Sequence, residues 1–224
     1  MKPRVGVDVD GVLADLLTPC LRIAGEILGK KLTVDHMQGW DLDCLFPDEQ
    51  VLDAFWKRIG EPGVCRNLEP YPEAVAGMAA LRKVADIYIV TSYLHDAPQW
   101  VHERDQWVME HFGIPRSKMV HTKAKYTFAG KMLVDDKPQN IQEWAAEHEK
   151  GIPVLWGQPY NSSHVFSGSV DYRVVRAQNW GKLVGLVSKR SHRCQCGLEV
   201  GDSPCPVHDC PGCRQSTSDC ECPK

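Results

Sequence analysis

The chain has 224 residues, 43% of them hydrophobic and 25% charged, with a formal net charge of −3. A chain of this size can bury its own core, and so weak a net charge excludes a general binder of polyanions. No apolar run nears the roughly 18 residues that span a bilayer, and Met1 to Asp8 lacks a secretory hydrophobic stretch, so a cytoplasmic location without a membrane partner is expected.

Arg4 to Val9 predicts a short buried strand with Asp8 and Asp10 at its end. Leu13 to Leu28 has helical periodicity and stops at Gly29. Lys31 to Pro47 is rich in turns, and Asp48 is the expected N-cap of a helix running to Ile59. Pro72 to Val84 predicts a third helix with its proline in the first turn. Asp86 to Ser92 reads as an apolar strand ending in hydroxyls, followed by a helix from Ala97 to Phe112. Short strands are expected at Met119 to His121 and Lys131 to Asp136, the second ending in two carboxylates. A helix from Pro138 to Lys150, strands at Pro153 to Trp156 and Tyr172 to Val175, and a helix from Asn179 to Ser188 complete the pattern.

Alternating strands and helices predict an α/β fold with a mostly parallel sheet covered on both faces. Ligands of such sheets bind beyond the carboxyl ends of the strands. Three strands here end in Asp8 and Asp10, in Thr91 and Ser92, and in Asp135 and Asp136. If these strands are neighbours, the groups converge at one edge.

That set suits phosphate monoester hydrolysis, whose loose transition state spreads charge over the phosphoryl oxygens. One of the Asp8 and Asp10 carboxylates can attack phosphorus while the other exchanges protons with the leaving oxygen. Asp135 and Asp136 offer hard oxygen ligands for Mg²⁺. Thr91, Ser92 and Lys125 can hold phosphate oxygens. Taken singly, each motif has a plainer reading: Asp-x-Asp-Gly as a turn, Asp135-Asp136 as a helix cap, Lys125 as a surface lysine. The chain order of all four together favours the site.

The order resembles the haloacid dehalogenase (HAD) superfamily of phosphatases. Its motifs stand here as Asp8-Val9-Asp10-Gly11-Val12-Leu13-Ala14-Asp15, Val90-Thr91-Ser92, Lys125, and Val134-Asp135-Asp136-Lys137. Within the superfamily the chain is most similar to the 5'(3')-deoxyribonucleotidases, through Asn67 to Val75, Trp100 to Gly113, and the spacing from Thr122 to Asp136. It departs from their pattern at Val64, Cys65 and Tyr93. The resemblance implies a Rossmann-like three-layer core over residues 1–14 and 85–190, with a small helical cap at about 15–84 inserted after the first strand. It implies that Asp8 forms an aspartyl-phosphate and ligates magnesium, and that Asp10 is the acid/base with its backbone carbonyl on the metal. Asp135 and Asp136 complete the metal site, and Thr91 and Lys125 hold the phosphate. The expected substrate is a (deoxy)nucleoside monophosphate; the alternatives are another small phosphometabolite or a non-catalytic adaptor.

The stretch between Gly11 and Val90 far exceeds the ~10–12 residues of an ordinary crossover. Its surplus suits a cap that closes over a small molecule. Trp40 and Phe46 in this stretch are candidate contacts to a nucleobase, with packing of the cap as the plainer alternative.

Residues 191–224 form a Cys-rich appendage. Seven of the ten cysteines lie between Cys194 and Cys222. Cys194, Cys196, Cys205, His208, Cys210, Cys213, Cys220 and Cys222 are candidate ligands of Zn²⁺, with the Cys210-x-x-Cys213 spacing typical of such sites. Disulfides are disfavoured by a reducing compartment and an odd cysteine number, and a disordered metal-scavenging tail is the second alternative. No nucleic-acid partner is expected, and a homodimer is compatible with the sequence.

Overall fold

The computed structural model describes residues 1–37, 39, 41–188, 192–193 and 199–200. Six strands pair in parallel: β1 (Arg4–Val7), β2 (Asp86–Thr91), β3 (Met119–His121), β4 (Met132–Asp135), β5 (Ile152–Trp156) and β6 (Val175–Ala177). Their order is β3-β2-β1-β4-β5-β6. The helices are α1 (Leu17–Leu28), α2 (Glu49–Ile59), α3 (Pro72–Val84), α4 (Gln99–Phe112), α5 (Pro138–Glu147) and α6 (Trp180–Ser188). The expected α/β, Rossmann-like, three-layer arrangement is therefore present.

Both sheet faces are covered, so the central strands β1, β2, β4 and β5 are mostly apolar and buried, whereas the edge strands β3 and β6 are largely half-buried. On one face Val90, Leu133 and Leu155 pack with Phe128 and with Ile141 and Trp144 of α5. The Trp144 indole N–H donates to the Phe128 carbonyl at 2.9 Å, satisfying the one polar atom in that cluster. Helix α3 packs against β2 and α4. Gly77 of α3 lies so close to Trp180 that any Cβ there would fall inside the indole.

Helix α5 ends at Glu147 and not Lys150, α4 starts at Gln99 and not Ala97, and two further elements differ for a reason that the hydrogen bonds show. The first helix begins at Leu17, not Leu13. The Val9 carbonyl accepts the N–H groups of Val12, Leu13 and Ala14 at 3.2, 2.7 and 2.8 Å, which winds those residues into a tight loop before the helix can start. The strand expected at Tyr172 to Val175 begins at Val175, because Val154 to Trp156 pair with Val175 to Ala177, and Gly168–Arg173 wind as a 3-10 helix.

The chain leaves the sheet after β1 and returns beside its own exit. Asp15 N donates to Glu69 O at 2.9 Å, and Tyr71 N donates to Leu13 O at 2.8 Å. Between these crossings α1 packs on α2, around a cluster that includes Cys20, Ile23, Phe55, Ile59 and Cys65. Asp48 caps α2 as expected, accepting the Val51 N–H at 2.9 Å. After an antiparallel bridge between Ala14 and Pro70, Pro72–Val84 runs against β2 and α4.

The chain divides into two compact units, Met1–Val184 and Gly185–Lys224. In the second, His192–Arg193 and Glu199–Val200 pair as antiparallel strands. The candidate zinc ligands Cys194, Cys196, Cys205, His208, Cys210, Cys213, Cys220 and Cys222 lie outside the described residues, as does Trp40.

Candidate active site

The neighbours β2, β1 and β4 bring the three motif ends together. Asp8 follows β1 directly, and its N–H donates to Val134 O of β4 at 2.9 Å. The sheet order reverses around β1, which opens a crevice at the carboxyl ends of β1 and β4.

Lys125 sits between two of the acids, with Nζ 2.6 Å from Asp8 Oδ2 and 2.7 Å from Asp135 Oδ2. It is 2% exposed, so it is no surface lysine. Burial works against its charge, but Asp135 and Asp8 outweigh burial and hold its pKa above the usual lysine range. The other Asp8 oxygen accepts the Val9 N–H at 2.7 Å. Asp135 is held on every side, by Lys125, by Asn140 at 3.1 and 3.0 Å, and by the Lys137 N–H at 2.8 Å. Asp136 accepts the Tyr160 hydroxyl at 2.5 Å.

Asp8, Asp135 and Asp136 each offer a carboxylate oxygen, and these oxygens lie within 4.8 Å of one another. Two ligands on opposite sides of a magnesium ion stand about 4 Å apart, so small side-chain rotations suffice for them to share one. Burial raises the Asp8 pKa well above the carboxylate range; Lys125 opposes this, while Asp135 and Asp136 add to it. Burial and the neighbouring Asp135 push Asp136 up to about 7, against the Tyr160 hydrogen bond. Crowded, desolvated acids of hard oxygen character are what a small divalent cation relieves. The donor set fits Mg²⁺.

Gly11 makes this crowding possible. Its φ is +73°, and a Cβ there would meet the Asp136 carboxylate and the Tyr160 hydroxyl. Gln158 Nε2 donates to Gly11 O at 2.6 Å and fixes the same turn from the loop after β5.

The Asp10 carboxylate does not join the acid cluster. Both its oxygens face Arg104 Nη2, at 2.6 and 2.8 Å. Thr91 ends β2 with a fully buried side chain, whereas Ser92 reaches the cavity wall. That cavity, about 930 Å³, is lined by Asp8, Asp10 and Asp136, by Leu16 just before α1, by Leu17 and Cys20 from α1, and by Trp56, Lys57 and Ile59 from α2. Phe46 packs on Phe55 at 4.8 Å between ring centroids and does not line the cavity. Trp56, whose ring centroid is 4.9 Å from that of Phe55, does line it. Among the described residues the aromatic side chains that line the cavity are Trp56, Tyr93, Trp100 and Tyr160, and Phe46 is not one of them.

Sequence reasoning missed Arg104, Gln158, Tyr160 and Asn140. For Arg104 a signal existed: Trp100, Arg104 and Trp107 fall at i, i+4 and i+7, which puts an arginine on the apolar face of α4. Tyr160 and Gln158 sit in a loop with no pattern of their own.

Residues 2–191 match the sequence profile of the family described as 5' nucleotidase, deoxy (Pyrimidine), cytosolic type C. A 5'(3')-deoxyribonucleotidase of Clostridium acetobutylicum is 26% identical over 192 residues, covering 83% of this chain and 94% of that protein. One of Bacillus subtilis is 22% identical over 184 residues, covering 82% and 97%. In fold, the chain is similar to a HAD hydrolase of Bacillus subtilis bound to magnesium, with a TM-score of 0.51, 13% identity, and coverage of 84% and 99%. It is also similar to a haloacid dehalogenase-like hydrolase of Burkholderia xenovorans, with a TM-score of 0.50, 12% identity, and coverage of 82% and 95%.

Proposed function

Because the chain belongs to this deoxy-type 5' nucleotidase family of HAD hydrolases, we propose that it hydrolyses (deoxy)nucleoside monophosphates through an aspartyl-phosphate on Asp8. The observation that carries the reading is the placement of Asp8 beneath a cavity of about 930 Å³, with Lys125 2.6 Å from its carboxylate. A cavity of that volume suits a drug-sized molecule and not a folded protein.

An Asp8 oxygen attacks phosphorus, and the ester oxygen leaves with a proton from Asp10. Water then attacks the phosphoryl group, Asp10 takes the water's proton, and the Asp8–phosphorus bond breaks to release phosphate. Lys125 places fixed positive charge beside the reacting carboxylate and the phosphoryl oxygens. Ser92 on the cavity wall donates its hydroxyl to the phosphate. Mg²⁺ held by Asp8, Asp135, Asp136 and the Asp10 carbonyl would supply further positive charge to the phosphoryl oxygens. Trp56 and Tyr93 offer apolar faces to a base.

The test is phosphate release from a panel of deoxynucleoside and ribonucleoside monophosphates and sugar phosphates, with and without Mg²⁺. Preference for deoxynucleotides is expected, with loss of turnover in EDTA and in Asp8→Asn. Equal rates across the panel would return the substrate to another phosphometabolite. Activity persisting in Asp8→Asn would remove the covalent route.

The reading extends to zinc in residues 194–222, supported by the number of thiol ligands and the Cys210-x-x-Cys213 spacing. Metal analysis of the full chain purified without added metal should find zinc that Cys210→Ser with Cys213→Ser reduces. It also extends to a cytoplasmic location, supported by the family's cytosolic description.

A further inference from the structure

Among the described residues, Arg104 is a fully buried charged group that the reaction above leaves without a task. It lies in the middle of α4 and is 0% exposed. Burying a guanidinium is costly unless something holds its charge. Here the compensation comes from one residue, Asp10, whose two oxygens stand 2.6 and 2.8 Å from Nη2. Nε and Nη1 have no hydrogen-bond partner among the described residues. They lie among aromatic faces, with the guanidinium carbon 5.4 Å from the Trp100 ring and 5.9 Å from the Trp107 ring. Asp10 lines the cavity and Arg104 does not, so the arginine approaches the carboxylate from behind.

The same helix is gripped by the returning end of the inserted segment. Glu103, next to Arg104, accepts the Gly63 N–H at 2.8 Å and the Arg66 N–H at 3.1 Å. The Trp107 indole donates to Leu68 O at 2.7 Å, and Gln99 donates to Gly60 O. These contacts pin α4 on both sides of Arg104. An acid/base must sit within hydrogen-bond reach of two different oxygens in turn, the leaving one and then water. Asp10 follows a strand end and precedes a glycine, so its local backbone alone does not fix its side chain.

We infer that Arg104 is the positioning residue of the acid/base, holding the Asp10 carboxylate at the cavity wall from behind while both its oxygens keep a lone pair for proton exchange. The inference rests on the role of Asp10 in the proposed reaction. It goes beyond that role in assigning a second residue, 94 positions away in sequence, that acts only through Asp10.

The test is a double-mutant cycle with Arg104→Gln and Asp10→Asn in the full chain with Mg²⁺, read on a nucleotide and on p-nitrophenyl phosphate. Arg104→Gln should lower kcat on the nucleotide about 10- to 100-fold, the scale of a misplaced catalytic group, with KM within about twofold. Nitrophenolate leaves without a proton, so the first burst of nitrophenolate from p-nitrophenyl phosphate should survive in Arg104→Gln while steady turnover falls. In the Asp10→Asn background Arg104→Gln should cost nothing further. Equal losses from Arg104→Gln in both backgrounds, or a lost burst, would overturn the inference. Full activity in Asp10→Asn alone would instead defeat the reading of Asp10. If Arg104→Gln does not fold, Arg104→Lys keeps the buried charge and serves in the same cycle, with the same outcomes deciding.

Discussion

The Tyr160 hydroxyl donates to Oδ2 of Asp136 at 2.5 Å, across 24 residues of sequence. This bond joins the loop after β5 to an acid that follows β4. It stabilises the charged form of Asp136 against burial. Partners of this kind orient a metal-ligating carboxylate, and their loss typically costs ~10- to 100-fold in metal affinity or activity. Tyr160→Phe should therefore raise the Mg²⁺ concentration needed for half-maximal activity by about tenfold. Magnesium titration of initial rates checks this, and an unchanged midpoint would show that the Tyr160 hydrogen bond does not bear on the metal.

Asp136 also sets a pH dependence in the metal-free protein. Its folded pKa is raised from 3.8 to about 7, and that of Asp8 is raised as well, both chiefly by burial. Between pH 4 and 7 the folded state then holds protons that the unfolded state has released. Stability falls as pH rises wherever the folded state binds more protons. In EDTA, Tm should be several degrees higher at pH 5.5 than at pH 7.5. Saturating Mg²⁺ should flatten or reverse the slope, since it binds the ionised acids. Differential scanning fluorimetry at the two pH values reads both.

Gly11→Ala strains the backbone and crowds the site. A φ of +73° costs an L-residue roughly 1–2 kcal/mol, and the new methyl meets Asp136 and Tyr160. Turnover should fall by more than about 100-fold, while urea unfolding shifts by only that cost or slightly more. A variant that kept its activity would mean the turn can relax away from Asp136.

The cysteines of the first unit should differ sharply in reactivity. Cys44 is exposed, whereas Cys20 and Cys65 are buried. Burial pushes the Cys65 thiol up to about 12 and the Cys20 thiol further. Thiolates, not thiols, react with alkylating agents. Brief iodoacetamide treatment of the native chain followed by peptide mapping should label Cys44 and spare Cys20 and Cys65. Labelling of Cys65 before Cys44 would mean that the inserted segment opens readily from α4.

The pattern of elements was legible because it depends on near neighbours. Short apolar runs marked β1, β2 and β4, and Asp48 and Pro72 marked the starts of α2 and α3. The acids at the strand ends were legible for the same reason, since each is fixed by the strand that precedes it. Boundaries failed where a distant partner decided them. Leu13 kept helical spacing but spends its N–H on the Val9 carbonyl and its own carbonyl on Tyr71 N. Phe46 and Trp56 are both aromatics of the insertion and both pack half-buried on the same cluster, yet only Trp56 lines the cavity.

Local pattern along the chain carries the succession of strands and helices, the acids at the strand ends and Lys125, and through them the hydrolase family. The tertiary structure alone decided that Arg104 holds Asp10, that Tyr160 and Gln158 close on Asp136 and Gly11, and that the insertion closes at Tyr71. The physical reason is range. Periodicity and capping act over a few residues and leave a trace in the chain, whereas a buried ion pair 94 residues apart is chosen by how the helices pack.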